Sequence, residues 1–286
     1  MSAVVLARID DIIDGALVED APWGDLTSEV FVPVEASATA ALVAREPGVM
    51  SGAEVFARVF ARVDPTVEVV SLVANGTLFA SGDVLAKVSG PARSVLRAER
   101  IALNLTQRMT GIATLTAQYV HAISGTGARI VDTRKTTPGL RVIERQAVRD
   151  GGGVNHRHSL SDAVMAKDNH LAVLSSRGIA VGDAIRAARA QLGHTVHLEV
   201  EVDRIDQIEA VVAADVDTIM LDNFSVPELV EGVRLVARRA IVEASGGVTL
   251  ATVRAIAETG VDVISVGALT HSARNLDLGL DLELRG

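Results

Sequence analysis

Residues that could carry chemistry follow a series of short apolar runs in the second half of the chain. The runs start near residues 129, 163, 196, 217, 240 and 262. They end at Asp132–Lys135, Lys167–His170, Glu201, Asp222–Asn223, Ser245–Gly247 and Gly267. The carboxyl ends of parallel strands lie at one edge of a sheet, so we expect these residues to lie together. Their types indicate a site for anions, with carboxylates beside it.

Two carboxylates, Glu201 and Asp222, end neighbouring runs. Such a pair could hold one Mg²⁺ together with substrate phosphate oxygens. It could also act as a general acid and base, or form salt bridges with nearby cations. The residues alone leave these three interpretations open.

Four cations are expected to converge on one cavity at this edge: Arg134, Lys135, Arg157 and Lys167. Arginine binds a carboxylate or phosphate with two parallel hydrogen bonds, and lysine adds a point charge. A lysine at a strand end could instead form a Schiff base, which keeps an aldolase barrel open. Zinc is not expected near His156, because the chain has no cysteine and no HExxH motif.

Glycine pairs indicate a phosphate site. Ser245, Gly246 and Gly247 precede a helix predicted to begin at Thr249, and Gly267 follows the next strand. Backbone N–H groups approach an anion closely at such loops in barrels. The alternative is that these glycines only form turns.

The repeated alternation of apolar runs with amphipathic stretches predicts a parallel sheet, most simply a (β/α) barrel. The amphipathic stretches are 204–214, 226–238 and 249–259. Between 196 and 202 apolar residues alternate with His197, Glu199 and Glu201. This spacing of two places the polar side chains in the barrel lumen, with Glu201 nearest the carboxyl end.

The first third of the chain has a different, mixed α+β pattern. Strands are predicted near 38–44, 67–73 and 84–88, with a hairpin turn at Asn75–Gly76. A long helix is predicted over 94–121, and Arg100 lies on its polar face.

Composition excludes several function classes. The chain has 286 residues, 49% of them hydrophobic and 2% aromatic, with a net charge of −9. An acidic chain with few aromatic rings is a poor nucleic-acid binder. Residues 129–167 nevertheless hold eight Lys/Arg against four acids, a local net of +4 that suits a small polyanion. No apolar run is long enough to cross a membrane and the first twenty residues lack a signal-peptide core, so a cytoplasmic location is expected.

Several longer motifs together resemble the quinolinate phosphoribosyltransferase family over nearly the whole chain. They are ERIALNLTQRMTGIAT (99–114), DTRKTTPGLR (132–141), GGGVNHRHSLSDAVMAKDNH (151–170), EVEVD (199–203), IMLDNF (219–224), EASGGV (243–248) and SVGALTHSA (265–273). One departure is Ser159, where the family more often has glycine.

The resemblance implies an α/β fold: an incomplete (β/α) TIM-like barrel over 116–273 and an N-terminal α+β open sandwich over 1–115. The C-terminal tail, 274–286, is expected to pack on the N-terminal domain. The resemblance also implies a homodimer whose active sites are shared between subunits.

The reaction implied by the resemblance joins quinolinate to 5-phosphoribosyl 1-diphosphate with Mg²⁺, giving nicotinate mononucleotide, CO₂ and diphosphate. Quinolinate would be bound by Arg134, His156, Arg157 and Lys167, with Arg100 from the second subunit. Lys135, Glu201 and Asp222 would face the ribose and the metal-bound diphosphate. Ser245, Gly246, Gly247 and Gly267 would hold the 5-phosphate. A related transferase of the molybdenum-transport type and a non-catalytic binding barrel are the remaining alternatives.

Overall fold

The computed structural model describes residues 3–284, which form two compact units. The first unit contains the chain up to Ala117, Thr136–Gly152, and the chain from Leu269 onward. The second contains Gln118–Lys135 and Gly153–Ala268. The sequence-based division at 115 and 116 stays a prediction, and residues 1, 2, 285 and 286 of the predicted domains lie outside the described part.

Strands and helices are numbered in chain order. The strands are β1 (Ser37–Ala44), β2 (Gly48–Val49), β3 (Glu68–Ser71), β4 (Leu78–Phe79), β5 (Val84–Pro91), β6 (Arg129–Val131), β7 (Val164–Ala166), β8 (Leu198–Val202), β9 (Thr218–Asp222), β10 (Ile241–Ser245), β11 (Val263–Ser265) and β12 (Leu278–Leu284). The helices are α1 (Ala3–Asp20), α2 (Leu26–Phe31), α3 (Ala53–Val63), α4 (Ala92–Ala122), α5 (Arg141–Asp150), α6 (Asp168–Ser176), α7 (Val181–Arg189), α8 (Ile208–Val212), α9 (Val226–Val236), α10 (Val253–Ala257) and α11 (Ala268–His271). A short 3₁₀ helix spans Ile205–Gln207.

The first unit is built around a four-stranded antiparallel sheet. Its strand order is β12, β1, β5, β3, so the end of the chain forms an edge strand beside β1. Every second residue of β1 is buried, as expected when one face of a sheet covers the core. β2 and β4 form a separate two-stranded ribbon.

The predicted helix over 94–121 is observed as α4, residues Ala92–Ala122. Its apolar stripe is buried, with Ala98, Ala102 and Ile112 fully covered. The stripe recurs every three to four residues, so one side of the helix covers the core of its unit.

The predicted turn at Asn75–Gly76 is present, with φ +80 at Gly76, and the predicted strands on either side of it pair antiparallel as β3 and β5. The turn does not join these strands directly, because β4 lies between them in the chain and pairs with β2. The Asn75 side chain accepts a hydrogen bond from Ala53 N and donates one to Glu54. These contacts hold the turn against the start of α3.

The second unit contains six parallel strands in the order β6, β11, β10, β9, β8, β7. Helices follow most of the strands, and β8 is buried along its whole length. The arrangement is an α/β fold with an incomplete (β/α) barrel, which confirms the predicted fold class. No helix in residues 3–284 is long and apolar enough to cross a membrane.

Candidate active site

A cavity of about 350 Å³ opens at the carboxyl ends of the parallel strands. All its lining residues belong to the second unit. They are Thr133, Arg134, Lys135, His156, Arg157, Met165, Lys167, Glu201, Met220, Asp222, Glu243, Ser245 and Ser265. The structure therefore gathers the four cations and both carboxylates singled out in the sequence around one space.

Two arginines give this cavity its positive character. Burial lowers the pKa of Arg157, and the nearby charge of Arg134 lowers it further. Arg157 Nη1 donates to the carbonyl oxygen of Ala163 at 2.9 Å, and Nη2 contacts Met165 Sδ at 3.6 Å. Two guanidinium groups that repel each other in a partly buried wall favour an anion between them.

Lys167 and Glu201 face each other across the ends of β7 and β8. Lys167 Nζ donates to Glu201 Oε2 at 2.8 Å, and the Glu201 side chain is only 11% exposed. Glu201 thus forms a salt bridge, one of the three interpretations that the sequence left open. Lys167 is one of the residues predicted to bind the anionic substrate, and Glu201 is one of those predicted to bind the metal. This salt bridge therefore connects the two groups of residues.

Asp222 ends β9, the neighbour of β8 in the sheet. Its Oδ2 accepts a hydrogen bond of 2.6 Å from the side-chain amide of Asn223. Glu201 pairs in register with Met220, so the two acidic residues lie at successive levels of adjacent strands. Both carboxylates line the same cavity, as a shared role requires.

His156 lies over two buried glutamates. Its Nε2 is 3.2 Å from Glu199 Oε2 and 3.3 Å from Glu243 Oε2. Burial opposes a charge on His156, but hydrogen bonds to Glu199 and Glu243 raise its pKa to about 10. Nε2 is thus directed at the two glutamates, whereas the resemblance makes His156 a quinolinate ligand.

Sequence reasoning did not single out Glu243 as a site residue. The signal was available, because Glu243 and Ser245 are two residues apart on β10 and so share a face. Ser245 ends this strand and lines the same cavity.

The loop after β10 requires glycine at two successive positions. Gly246 and Gly247 have φ values of +91 and +61, which glycine adopts at little cost. The predicted start of the next helix at Thr249 is wrong, because α10 begins at Val253. The hydroxyls of Thr249 and Thr252 bond to each other and stabilise a turn instead of the first helical residues.

Four other predicted site residues are not among those that line the cavity. Gly246, Gly247 and Gly267 are outside the set of lining residues, although Ser245 and Ser265 belong to it. Arg100 is exposed on α4, in the part of that helix that belongs to the first unit. Their assigned roles stay predictions.

A second cavity in the same unit, of about 500 Å³, shares Glu201 but has the opposite charge. Asp168, Asp203 and Asp206 line it together with Arg204. An acidic wall repels a polyanion. The smaller cavity is therefore the better candidate for anionic substrates.

Comparison with known proteins agrees with the motifs. Residues 25–110 match the family model for the N-terminal domain of quinolinate phosphoribosyl transferase, and residues 112–281 match the C-terminal domain. A nicotinate-nucleotide pyrophosphorylase [carboxylating] from Mycobacterium leprae is 45% identical over 95% of this chain and 96% of that protein. A probable enzyme of the same name from Bacillus subtilis is 39% identical over 97% of this chain and 94% of its own length.

Solved structures give the same result. The crystal structure of NadC from Streptococcus pyogenes superposes with a TM-score of 0.92 at 40% identity and covers 98% of both chains. The nicotinate-nucleotide pyrophosphorylase from Francisella tularensis gives a TM-score of 0.90 at 33% identity, covering 97% of this chain and 96% of its own. With both domain models matched over most of its length, the chain belongs to the quinolinate phosphoribosyltransferase family.

Proposed function

We infer that this protein is a carboxylating nicotinate-nucleotide pyrophosphorylase. It transfers phosphoribosyl from 5-phosphoribosyl 1-diphosphate to quinolinate and releases diphosphate and CO₂, leaving nicotinate mononucleotide, a step of NAD biosynthesis. The observation that carries this inference is the cavity at the strand ends, which combines four arginines and lysines with three carboxylates in a chain of this family. Both substrates are polyanions, and this cavity supplies the opposite charge.

The two carboxylates of quinolinate fit the guanidinium pair. Arg134 and Arg157 line the cavity, and the repulsion between them is relieved when a dianion binds. Lys167 adds a third positive charge on the same wall. We assign His156 to this half of the site, and Arg100 of the partner subunit completes it.

Lys135, Glu201 and Asp222 belong to the ribose and diphosphate half. The carboxylates are hard oxygen donors on adjacent strands, and Glu201 already holds a cation, the Lys167 ammonium. This donor set fits Mg²⁺, which binds through one or two carboxylates plus substrate phosphates. Bound there, Mg²⁺ would neutralise the charge of the departing diphosphate.

The chain's own groups then act mainly by position and charge. Positive charge develops on the ribose as diphosphate leaves, and the carboxylates of Glu201 and Asp222 stabilise it. The ring nitrogen becomes cationic when it joins the ribose. Its positive charge stabilises the electron pair that stays on the adjacent carbon as CO₂ departs, and that carbon then uses the pair to take up a proton. Lys135 holds the phosphate oxygens while Ser245, Gly246, Gly247 and Gly267 bind the 5-phosphate.

Self-association as a homodimer is part of this proposal. Around α2, Trp23, Leu26, Val30 and Phe31 are 91%, 75%, 75% and 80% exposed. A contiguous set of large apolar side chains on a surface marks a contact site. Arg100 is exposed on α4, so it is available to the site of a second copy. We propose the cytoplasm as the location, because polyanionic substrates cross a lipid bilayer poorly.

The aldolase alternative needs a lysine that attacks a carbonyl as a neutral amine. Lys167 Nζ instead donates to Glu201 Oε2 at 2.8 Å, the arrangement of a charged ammonium. Borohydride should therefore trap no adduct with a ketone or aldehyde substrate. The family result also supports the transferase over the aldolase.

The decisive experiment follows all products of one reaction. The purified protein is given quinolinate, 5-phosphoribosyl 1-diphosphate and Mg²⁺, and nicotinate mononucleotide, CO₂ and diphosphate are measured together. We expect them in equal amounts. Lys135→Ala should abolish turnover, and Lys87→Ala, an exposed lysine of β5 in the first unit, serves as the matched control. Diphosphate release without loss of quinolinate would overturn the proposal.

A further inference from the structure

Asn223 has a backbone conformation that most residues avoid. Its φ is +59, in the left-handed region that asparagine tolerates better than most other non-glycine residues. Three other non-glycine residues among those described share a positive φ: Asp215, Ala237 and Arg238. Those three precede β9 or β10, at the opposite edge of the sheet from the candidate site. Asn223 alone of the four follows a strand, directly after Asp222.

The side chain of Asn223 binds a carboxylate assigned to the site. Its Nδ2 donates to Asp222 Oδ2 at 2.6 Å. A hydrogen bond to a charged acceptor is stronger than one between neutral groups, and it fixes the orientation of the carboxylate plane. One oxygen of Asp222 is thereby held, which directs the other.

Asn223 also contacts the glycine loop. Its backbone N–H donates to the carbonyl oxygen of Ser245 at 2.9 Å. A Cβ added at Gly246 would overlap the Oδ1 of Asn223 and would lie 2.9 Å from its backbone nitrogen. The Asn223 amide therefore packs directly on Gly246, a position where only glycine leaves room.

One side chain thus links the ends of two neighbouring strands. β9 carries Asp222, and β10 leads into the Ser245–Gly247 loop. Under the proposed function these ends bind opposite parts of one substrate, the diphosphate and the 5-phosphate. Their spacing must match the spacing of the two groups on the ribose.

We propose that Asn223 is a positioning residue for 5-phosphoribosyl 1-diphosphate. It holds the Asp222 carboxylate and the Ser245–Gly247 loop at a fixed separation, so that both phosphate groups of the substrate are bound at once. This inference rests on the proposed function. It predicts that loss of the amide weakens binding of this substrate but leaves the quinolinate pocket unchanged.

The experiment measures binding without reaction. Phthalate has the adjacent carboxylates of quinolinate but no ring nitrogen, so it fills the pocket and does not react. Calorimetry gives the Kd of phthalate, and then the Kd of 5-phosphoribosyl 1-diphosphate with Mg²⁺ in saturating phthalate. The variants are Asn223→Gly, which keeps the left-handed backbone and removes the amide, and Asn223→Asp, which places an acceptor beside Asp222. Asp215→Gly is the matched control, because Asp215 has φ +65 at the other end of the same strand.

We expect both Asn223 variants to raise the Kd of 5-phosphoribosyl 1-diphosphate about tenfold to hundredfold, the usual effect of losing a hydrogen bond to a charged group. The Kd of phthalate should not change, and Asp215→Gly should behave as wild type. In turnover assays the KM of the same substrate should rise more than kcat falls.

Three outcomes would overturn the inference. Wild-type affinity for 5-phosphoribosyl 1-diphosphate in Asn223→Gly would make Asn223 a turn residue only. An equal loss of phthalate affinity would indicate general damage. If Asn223→Gly melts at a much lower temperature than Asp215→Gly, the test relies on Asn223→Asp. Unchanged affinity of that variant for 5-phosphoribosyl 1-diphosphate would then rule out a positioning role for Asn223. A wild-type protein that binds neither ligand would instead contradict the proposed function itself.

Discussion

The arginines of the candidate site have an electrostatic setting opposite to that of two carboxylate-paired arginines in the first unit. In the first unit Arg62 and Arg274 each donate to a carboxylate, of Asp14 and of Glu46, and these hydrogen bonds raise the pKa of both guanidinium groups. In the second unit burial and the charge of Arg134 lower the pKa of Arg157. The first arrangement supplies its own counter-charge and stabilises the fold. The second brings like charges together and so favours a bound anion.

A buried pair in the first unit makes the contrast clearer. Glu144 is fully buried, and it accepts hydrogen bonds from Arg108 Nε at 3.1 Å and Nη2 at 2.9 Å. Its other oxygen accepts the backbone N–H of Thr137 at 3.0 Å. Arg108 also donates to the carbonyl oxygens of Ala273 and Thr270. Every contact here is with protein, so the residues need no ligand to be satisfied.

The largest effect should follow from removing a cavity arginine. Arg157→Ala should weaken phthalate binding about thirtyfold or more, because truncating one partner of a buried charge pair costs roughly 2–5 kcal/mol. Arg62→Ala removes an arginine of the first unit that already has a carboxylate partner. It should leave phthalate affinity unchanged. Calorimetry on both variants checks the comparison, and similar losses in the two would break it.

A loss of turnover without loss of binding is expected from Glu201→Gln. The change removes a charge from the ribose and diphosphate half but little volume, and kcat should fall about a hundredfold to a thousandfold. Phthalate affinity should be kept, or should rise as Lys167 loses its carboxylate partner. Single-turnover kinetics with parallel calorimetry measures both. Lost phthalate binding with an unchanged Mg²⁺ dependence would place Glu201 in the wrong half of the site.

Selectivity for a dicarboxylate should follow from the like charges of the cavity. Nicotinate has one carboxylate, so it can form fewer charge-assisted hydrogen bonds with the Arg134 and Arg157 guanidinium groups that line the cavity than a dicarboxylate can. We expect nicotinate to bind about a hundredfold more weakly than quinolinate or phthalate, given roughly 1.4 kcal/mol per factor of ten. Competition binding with the three ligands tests this. Equal affinity for nicotinate would favour a different substrate.

Much of the second unit could be predicted from the sequence, because a repeated pattern encodes it. Strands predicted to start near 217, 240 and 262 begin at Thr218, Ile241 and Val263. Each run is short, apolar and followed by an amphipathic stretch, so local spacing alone defines it. Strand ends then place polar residues at one edge, which is why the cavity lining includes four of the expected cations.

Contacts that depend on tertiary packing could not be predicted. The turn at Asn75–Gly76 has the right residues for a hairpin, but the choice of partner for β4 depends on where β2 lies. Thr249 could begin a helix, yet its bond to Thr252 favours a turn. Likewise nothing in the spacing shows that Nε2 of His156 faces both Glu199 and Glu243. Each of these features joins segments far apart in the chain or competes with a local preference.

If active sites are shared between subunits, Arg100, an exposed arginine on α4 of the first unit, also binds substrate and not a carboxylate of its own unit. Arg100→Ala and Lys167→Ala homodimers should each be nearly inactive. Mixed heterodimers should regain about half of wild-type activity, because one of the two sites keeps both residues. Activity is measured on heterodimers purified with two affinity tags. An inactive verified heterodimer would show that each subunit forms its site alone.

The smallest effect concerns the stabilising arginine pairs and their dependence on pH. Glu46 binds the Arg274 guanidinium and the backbone N–H of Asp277, which lowers its pKa to about 2 from the usual 4.5. A carboxyl with a lowered pKa in the folded state stabilises the protein fully above its usual pKa and loses that contribution as the pH falls toward 2. Arg274 is 68% exposed, so solvent screens the pair and the effect stays small.

Glu46→Gln should therefore lower the melting temperature by about 1–3 °C at pH 7 and by less near pH 2.5. Glu258→Gln, which removes an exposed pair with Arg254, is the control and should change the melting temperature little at either pH. A penalty for Glu46→Gln that is equal at both pH values would mean that packing, and not the charge on Glu46, stabilises this end of the chain.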